Sequence, residues 1–238
     1  DGGTVTTNSN NLIEDASCNP ALSGEPRLSS LGNYTSPSTS SGAALPELVE
    51  GNAPATFSLL PGSLALNAGD AASCATTDQR GADRVGVCDI GATESQGFAM
   101  LLHAGDQQSA NQEANFAQPL QVSLIASDTN LILTGEVITF TAPGSGASLD
   151  DNQFTILTGD DGVAVAPVTA NSTAGTYAVV ASAFGFTTPV TFTLTNLDCY
   201  AQVVTNDNDS GPGSLRRAVA DACDSGVITF ADNYTIYL

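Results

Sequence analysis

The sequence predicts an all-β protein. Three observations carry that expectation. Apolar and polar residues alternate with period two through the middle of the chain, turn-forming clusters punctuate those runs, and one short segment alone, residues 214–223, reads as a helix. Period-two alternation marks a strand with one face on a core and the other in water.

Composition divides the 238 residues into three segments. Residues 1–95 are irregular, with short apolar pieces, many Asn, Gly and Ser, and a Ser/Thr/Pro-rich patch at "YTSPSTSSGAALPE" (34–47). The opening "GGTVTTNSNNLIE" is strand-like. Residues 96–197 carry the alternation. "VTFTLTN" (190–196) sets Val190, Phe192 and Leu194 on one face and Thr191, Thr193 and Thr195 on the other. "LQVSLIA" (120–126), "EVITFTAP" (136–143), "GVAVAPV" (162–168) and "GTYAVVASA" (175–183) read the same way. "SDTN" (127–130), "PGSG" (143–146), "GDDG" (159–162) and "NSTAG" (171–175) supply turns between them. About seven short strands in roughly 100 residues is the pattern of an Ig-like sandwich. No Cys or Trp falls here, so the pinned core of antibody domains is absent.

Residues 198–238 change again. "VVTNDNDSGPGS" (203–214) is a turn-rich loop running into "SLRRAVADAC" (214–223). Ser214 is placed to cap a helix after Pro212-Gly213. Leu215, Val219 and Ala222/Cys223 form its apolar face, Arg217 and Asp221 are spaced as a helical pair, and Gly226 ends it. Then "VITF" (227–230) and "YTIYL" (234–238) read as two short strands with "ADN" at the corner, the way β-solenoids are written.

The formal net charge is −20, from 25 acidic side chains against five cations, all Arg (27, 80, 84, 216, 217). Such a chain repels nucleic acid and anionic membrane surfaces. No apolar run reads as long enough to insert in a membrane, and no stretch of these residues reads as a leader. Both ends look cut from, or completed by, something else. Of five cysteines, Cys74 and Cys88 flank one short loop and Cys199 and Cys223 another, leaving Cys18 over as a buried apolar side chain or an intermolecular partner. Bridges at those two places fit an oxidising compartment, and one closing a loop of about 15 residues stabilises by ~3 kcal/mol.

Several strings resemble known families. "ANFAQPLQVSLIASDTN" (114–130), "VITFTAPGSGAS" (137–148), "TGDDGVAVAPVTANSTAGTYAVVAS" (158–182) and "TPVTFTLTN" (188–196) resemble bacterial Ig-like domains of the Big-1/invasin type. "VVTNDNDSGPGSLRRAVADAC…ITF" resembles the opening of a right-handed parallel β-helix of the pectin-lyase-like superfamily, in which a short helix caps the open end. "NNLIEDASCNPALSGEPRL" (10–28), "LLPGSLALNAGD" (59–70) and "TDQRGADRVGVCDIGATE" (77–94) resemble the closing coils and tail of choice-of-anchor Q β-helix proteins. The resemblance implies three domains: closing coils at 1–95, an Ig-like domain at 96–197, and a capping helix with opening coils at 198–238. The many coils such proteins carry between these two ends are absent.

Candidate chemistry is thin. Asp78, Arg80, Asp83, Arg84 and Asp89 gather in one string and read as a structural knot of Arg forks on carboxylates and carbonyls, stapled by Cys74 and Cys88, in preference to a catalytic or sugar-binding patch. "NDNDSG" (206–211) begins like a calcium loop, but the twelfth position from Asn206 is Arg217, not Glu, so an EF-hand fails. A looser calcium site on Asp207 and Asp209 is the one cofactor expectation. "GDDG" reads as a hairpin turn, the lone His103 as a surface or interface residue, and the sequons at Asn33, Asn171, Asn208 and Asn233 as weak glycosylation signals.

The expectation is therefore a non-enzymatic structural subunit or repeat of an extracellular bacterial filament or surface fibre. Its assembly interface would use Thr4, Val5, Thr6, Leu12 and Ile13 at one end and Val227, Ile228, Phe230, Tyr234, Ile236 and Leu238 at the other. The partner would be the chain itself, head to tail, by strand addition. The alternative is a cell-surface adhesin that grips glycans or other surface proteins. A polysaccharide lyase or hydrolase ranks last, since no carboxylate cluster lies on a strand face.

Overall fold

A computed structural model describes residues 11–14, 22–32, 55–128, 130–224 and 226–236. Thr4, Val5, Thr6, Cys18 and Leu238 lie outside the described residues. In chain order the elements are β1 (Leu12–Ile13), β2 (Leu22–Ser23), β3 (Phe98–Ala104), β4 (Gln108–Asn111), β5 (Leu120–Ala126), β6 (Val137–Thr141), β7 (Gln153–Leu157), β8 (Val163–Ala166), β9 (Gly175–Ala183), β10 (Val190–Leu197), β11 (Ala201–Val204), helix α1 (Leu215–Asp221) and β12 (Val227–Phe230). The protein is all-β, with a curled half-barrel sheet.

The alternating strands build two sheets with one core between them. One runs β4-β10-β9-β6-β7 and the other β3-β5-β8. Neighbours are antiparallel throughout, except that β4 pairs parallel with β10, Gln108 opposite Leu194 through Asn111 opposite Leu197. Phe140, Ile138, Val179, Phe192 and Leu194 from the first sheet meet Leu120, Val122 and Leu133 from the second sheet and its adjoining loop, all essentially out of solvent. Fully burying one such side chain contributes about 1.5–3 kcal/mol. Phe140 stacks on Phe154 with centroids 5.1 Å apart and lies 6.3 Å from Phe192. The faces read from "VTFTLTN" hold: Val190, Phe192 and Leu194 are buried, Thr191 and Thr193 exposed, and Thr195 half-buried. β3 and β4, which lack clean alternation, and β7, whose Phe154 and Ile156 face the core, complete the sheets.

A polar network closes the core at the end where β9 begins. The Tyr177 hydroxyl donates to Asn196 Oδ1 at 3.0 Å, and Asn196 Nδ2 donates to the carbonyls of Ser148 (2.9 Å) and Thr173 (3.1 Å) and to Asn171 Oδ1 (3.0 Å). The Asn171 sequon therefore has its side chain engaged in this network. "GDDG" does form a tight turn, with Gly162 N–H bonded to Gly159 O at 2.9 Å, but it hands the chain from one sheet to the other, since β7 and β8 belong to different sheets.

Two further two-stranded pieces flank the sheets, and both are parallel. β1 pairs with β2, Leu12 opposite Leu22, and β11 pairs with β12, Ala201 opposite Val227 through Val204 opposite Phe230. Ser214 caps α1, its hydroxyl accepting from Arg217 N–H at 3.2 Å, and Arg217 reaches Asp221 at 2.5 Å. The helix presents a different face from that expected. Ala218 is buried and Leu215 half-buried, while Val219 points outward at 58% exposure. The helix also ends at Asp221, before Gly226, because Cys223 N–H leaves the helical ladder to bond the Cys199 carbonyl at 3.0 Å. No strand forms over 231–236, where "YTIYL" was expected to begin one. Tyr234 instead anchors its hydroxyl on the Thr205 carbonyl at 2.7 Å.

Burial pushes the Tyr177 phenol up to about 12 from an ordinary 10, only partly offset by its bond to Asn196. A folded pKa above the unfolded one for an acid means that the native state holds the proton more tightly. That contribution, roughly 3 kcal/mol, is present below pH 10 and is lost between pH 10 and 12. An ultraviolet phenolate titration of the native chain is expected to end in a step near pH 12 that disappears in Tyr177→Phe.

Candidate assembly interface

The chain enters and leaves the two-sheet body at opposite poles. β3 starts beside the end of β5, Phe98 opposite Ala126, and that pole also carries the start of β6, the end of β9 and the start of β10. β10 ends at the far pole, where Asn196 lies opposite Gly175 at the start of β9. β9 has nine residues, which at strand rise separates the poles by about 30 Å.

The N-terminal segment is fixed to the first pole by the string read as a knot. Arg80 is 3% exposed at its side chain and forks between Asp78 (2.7 Å) and Asp128 (2.8 Å), and it also donates to the Glu94 carbonyl. Arg84 Nη1 pairs with Glu94 at 2.9 Å, and its other amine donates to the Gly91 carbonyl. Glu94 in turn accepts from the N–H groups of Val85 and Asp89. Asp83 contributes only its carbonyl, to Gln96, and its position is set by the bridge to Thr77. Burial pushes the Asp78 carboxyl up, but the Glu94 N–H and the Arg80 side chain and N–H outweigh it and hold it below its ordinary value. Burial wins at Asp89, which sits above its ordinary value despite bonds from Ser95 and Asn67 N–H. Asp128, read from sequence only as part of a turn, is the body's half of the joint.

Two further contacts complete this junction. Arg27 pairs with Glu136 at 2.6 Å and lies over the Phe184 ring, 5.0 Å from its centroid. Gly185, at φ +84°, comes so close that an added Cβ would sit 2.2 Å from Gly62 N. The backbones can touch there because Gly185 has no side chain, and a Cβ on Gly62 would run into the Phe184 ring. "LLPGSLALNAGD" is the strip that ties this segment together. Leu59 bridges Leu28, Ile90 N–H bonds Ala65 O at 2.9 Å, Gly69 N–H bonds Cys88 O at 2.8 Å, and Cys88 is bonded to Cys74.

The C-terminal segment is fixed to the far pole. Gln112 receives the Cys199 N–H on its side-chain oxygen at 3.1 Å and donates to the Ser172 carbonyl at 2.7 Å, and Tyr200 bonds Glu113. Cys199, fully buried, is bonded to Cys223, closing the β11–α1–β12 unit. Val204 and Phe230 are register neighbours on the same face of this unit. Val204 is 0% exposed, whereas Phe230 is 49% exposed. Burial thus fades from β11 to β12, and among the described strands β12 pairs with β11 alone.

The expected interface residues divide accordingly. Leu12 and Ile13 are half-buried in β1, Val227 is 60% exposed, and Ile228, Tyr234 and Ile236 are half-buried. The two sets sit at opposite poles. Missed from sequence were Leu28, Leu31 and Phe57, exposed apolar residues of the N-terminal segment. The calcium expectation gains no grouping: Asp209 is engaged with Arg216 at 2.7 Å, Asp207 is exposed, and among the described residues no three His, Cys, Asp or Glu side chains are gathered to hold a metal. His103 is exposed, with Nδ1 2.8 Å from Ser123 Oγ. No family model and no curated protein matches this chain.

Removing the Arg80 guanidinium strands two buried carboxylates. Arg80→Met is therefore expected to cost about 3–5 kcal/mol, read as a lowered midpoint in urea unfolding. In acid the two aspartates act oppositely. Asp78, with its depressed pKa, contributes stability that is lost as pH falls through that value, whereas Asp89, with its raised pKa, gains from protonation in the same direction.

Proposed function

We propose that this chain is a structural subunit or repeat of an extracellular bacterial filament or surface fibre. It assembles head to tail by strand and coil complementation between its C-terminal and N-terminal segments. The sheet orders β3-β5-β8 and β4-β10-β9-β6-β7, with the first strand split between the sheets, support an Ig-like reading of residues 96–197. The parallel β11–β12 pair with its covering helix supports reading 198–238 as the capped opening of a β-helix. Two disulfides support an oxidising location outside the cytoplasm.

One observation carries the proposal: the two solenoid-like pieces sit at opposite poles of the body. They therefore do not complete one another within a chain, and a composite coil needs two copies. A contact between different surfaces of two identical subunits does not close on itself at a dimer and propagates linearly unless it forms a ring.

Negative-stain imaging of the purified chain is expected to show fibres with a fixed axial repeat. Deleting residues 227–238 should leave the two-sheet body folded, by circular dichroism and a cooperative melt, and abolish the fibres. A wild-type chain that sediments as a monomer at high concentration, or a truncated chain that still forms fibres, refutes the proposal.

A further inference from the structure

A cleft of about 420 Å³ opens where the N-terminal segment meets the body. Asn67 and Ser95 of the segment line one side, and Phe98, Phe186, Thr187 and Thr188 of the body line the other. Its size falls in the range of small-molecule sites, about 300–1,000 Å³, and such sites favour boundaries between units of a fold. The walls are held in place. Asp89, 4% exposed, takes the Asn67 N–H on one carboxylate oxygen and the Ser95 N–H on the other, both at 2.7 Å. One side chain thus sets the spacing of the two segment residues. Asn67 itself has left-handed backbone, at φ 53°, which Asn tolerates better than most residues. Phe98 and Phe186 meet edge to face, with centroids 6.4 Å apart and planes at 63°, and both pack against the core.

The lining selects a chemistry. Asn67, Thr187 and Thr188 are exposed, and their side chains make no hydrogen bond to the described residues. An amide and two hydroxyls can both donate and accept, which matches a ligand hydroxyl that does the same. Among the described residues no cation lines the cleft, and the chain carries a formal charge of −20, so an anionic ligand is repelled. The one carboxylate, Asp89, is withdrawn from solvent with both oxygens engaged, so it offers a cationic ligand little. Half-buried aromatic side chains beside neutral polar ones give an apolar wall on which the C–H face of a small ring can pack.

We propose that this cleft binds a neutral sugar, with one ring against Phe98 and Phe186 and its hydroxyls bonded to Asn67, Thr187 and Thr188. Asp89 is a positioning residue that acts through Asn67 and Ser95. The site uses both the segment and the body, whose docking the Arg80 fork fixes. It does not depend on the head-to-tail reading, because every lining residue belongs to one chain. A fibre of such subunits would present the site once per repeat and gain avidity for a surface of repeated glycans.

The test applies the full chain to an array of neutral gluco-, galacto- and manno-oligosaccharides, with sialylated, sulfated and amino-sugar oligomers alongside. Binding to at least one neutral series is expected, competed by the free sugar and absent from the anionic series. Asn67→Gly, which keeps the left-handed backbone, and Thr187→Val, which keeps the shape, should each weaken that binding roughly fivefold to tenfold, and together they should abolish it. Both positions are exposed, so the urea midpoint should hold. No binding to any neutral oligosaccharide overturns the proposal. So does binding confined to the anionic or amino-sugar oligomers, or neutral binding that both variants leave unchanged. Fibre formation by the same variants should be normal, so the sugar site and head-to-tail assembly fail or stand separately.

Discussion

The N-terminal segment is oriented on the two-sheet body by one guanidinium. The chain has five cations for 25 carboxylates, and Arg80 is spent in the interior, between Asp78 of its own segment and Asp128 of the body. A buried ion pair is a weak source of net stability, because desolvation consumes most of the attraction. Its effect here is geometric. A planar fork satisfied by two carboxylates and a carbonyl fixes distance and direction together. The Gly62–Gly185 backbone contact and the Arg27–Phe184 stacking then fall into place around it. Among the described residues, the far pole has no ion pair at its junction. Gln112 does the equivalent work with an amide, and the Cys199–Cys223 bond locks the unit it holds.

Placing the scarce cations inside has a consequence for the surface. Arg27, Arg80 and Arg84 are engaged at the N-terminal junction, and Arg216 and Arg217 are matched to Asp209 and Asp221. The carboxylates are spread over all three segments: residues 96–197 hold eight and no cation, residues 1–95 eleven against three Arg, and residues 198–238 six against two. In the proposed fibre self-repulsion acts on every face, and assembly has to overcome it through apolar and backbone contacts.

The body was legible because its residues repeat a simple rule. Once Phe192 and Leu194 are assigned inward, the period of two fixes the rest of β10, and β5 and β9 follow the same rule along their length. The alternation does not say which strands share a sheet, and so the "GDDG" turn was assigned to a hairpin. The helix face was misread for a related reason. Val219 satisfies a helical period, but a helix of seven residues held at one end by a disulfide buries whichever side meets β11, and that side is Ala218. The knot string was legible as a knot because Arg and Asp alternate within it. Glu94 and Asp128 were not, because a partner 14 or 48 residues away leaves no local signature. Nor does sequence mark the exposed apolar residues of the N-terminal segment. Leu28, Leu31 and Phe57 look like ordinary core residues until the fold turns them outward.

The parallel pairing of β4 with β10 bears on how such a body would carry load. The chain arrives at one pole along β3 and departs at the other along β10, so a pull on the two flanking segments draws the β3–β4 arm and β10 in opposite directions along their shared axis. The backbone bonds between β4 and β10 run across that direction. Tension therefore loads them together as a sliding contact and cannot open them one at a time from an end, as it would in a hairpin pulled apart at its mouth. With β3 held along β5 in the same sense, the resistance of the body to extension is set by two short ladders at its seam.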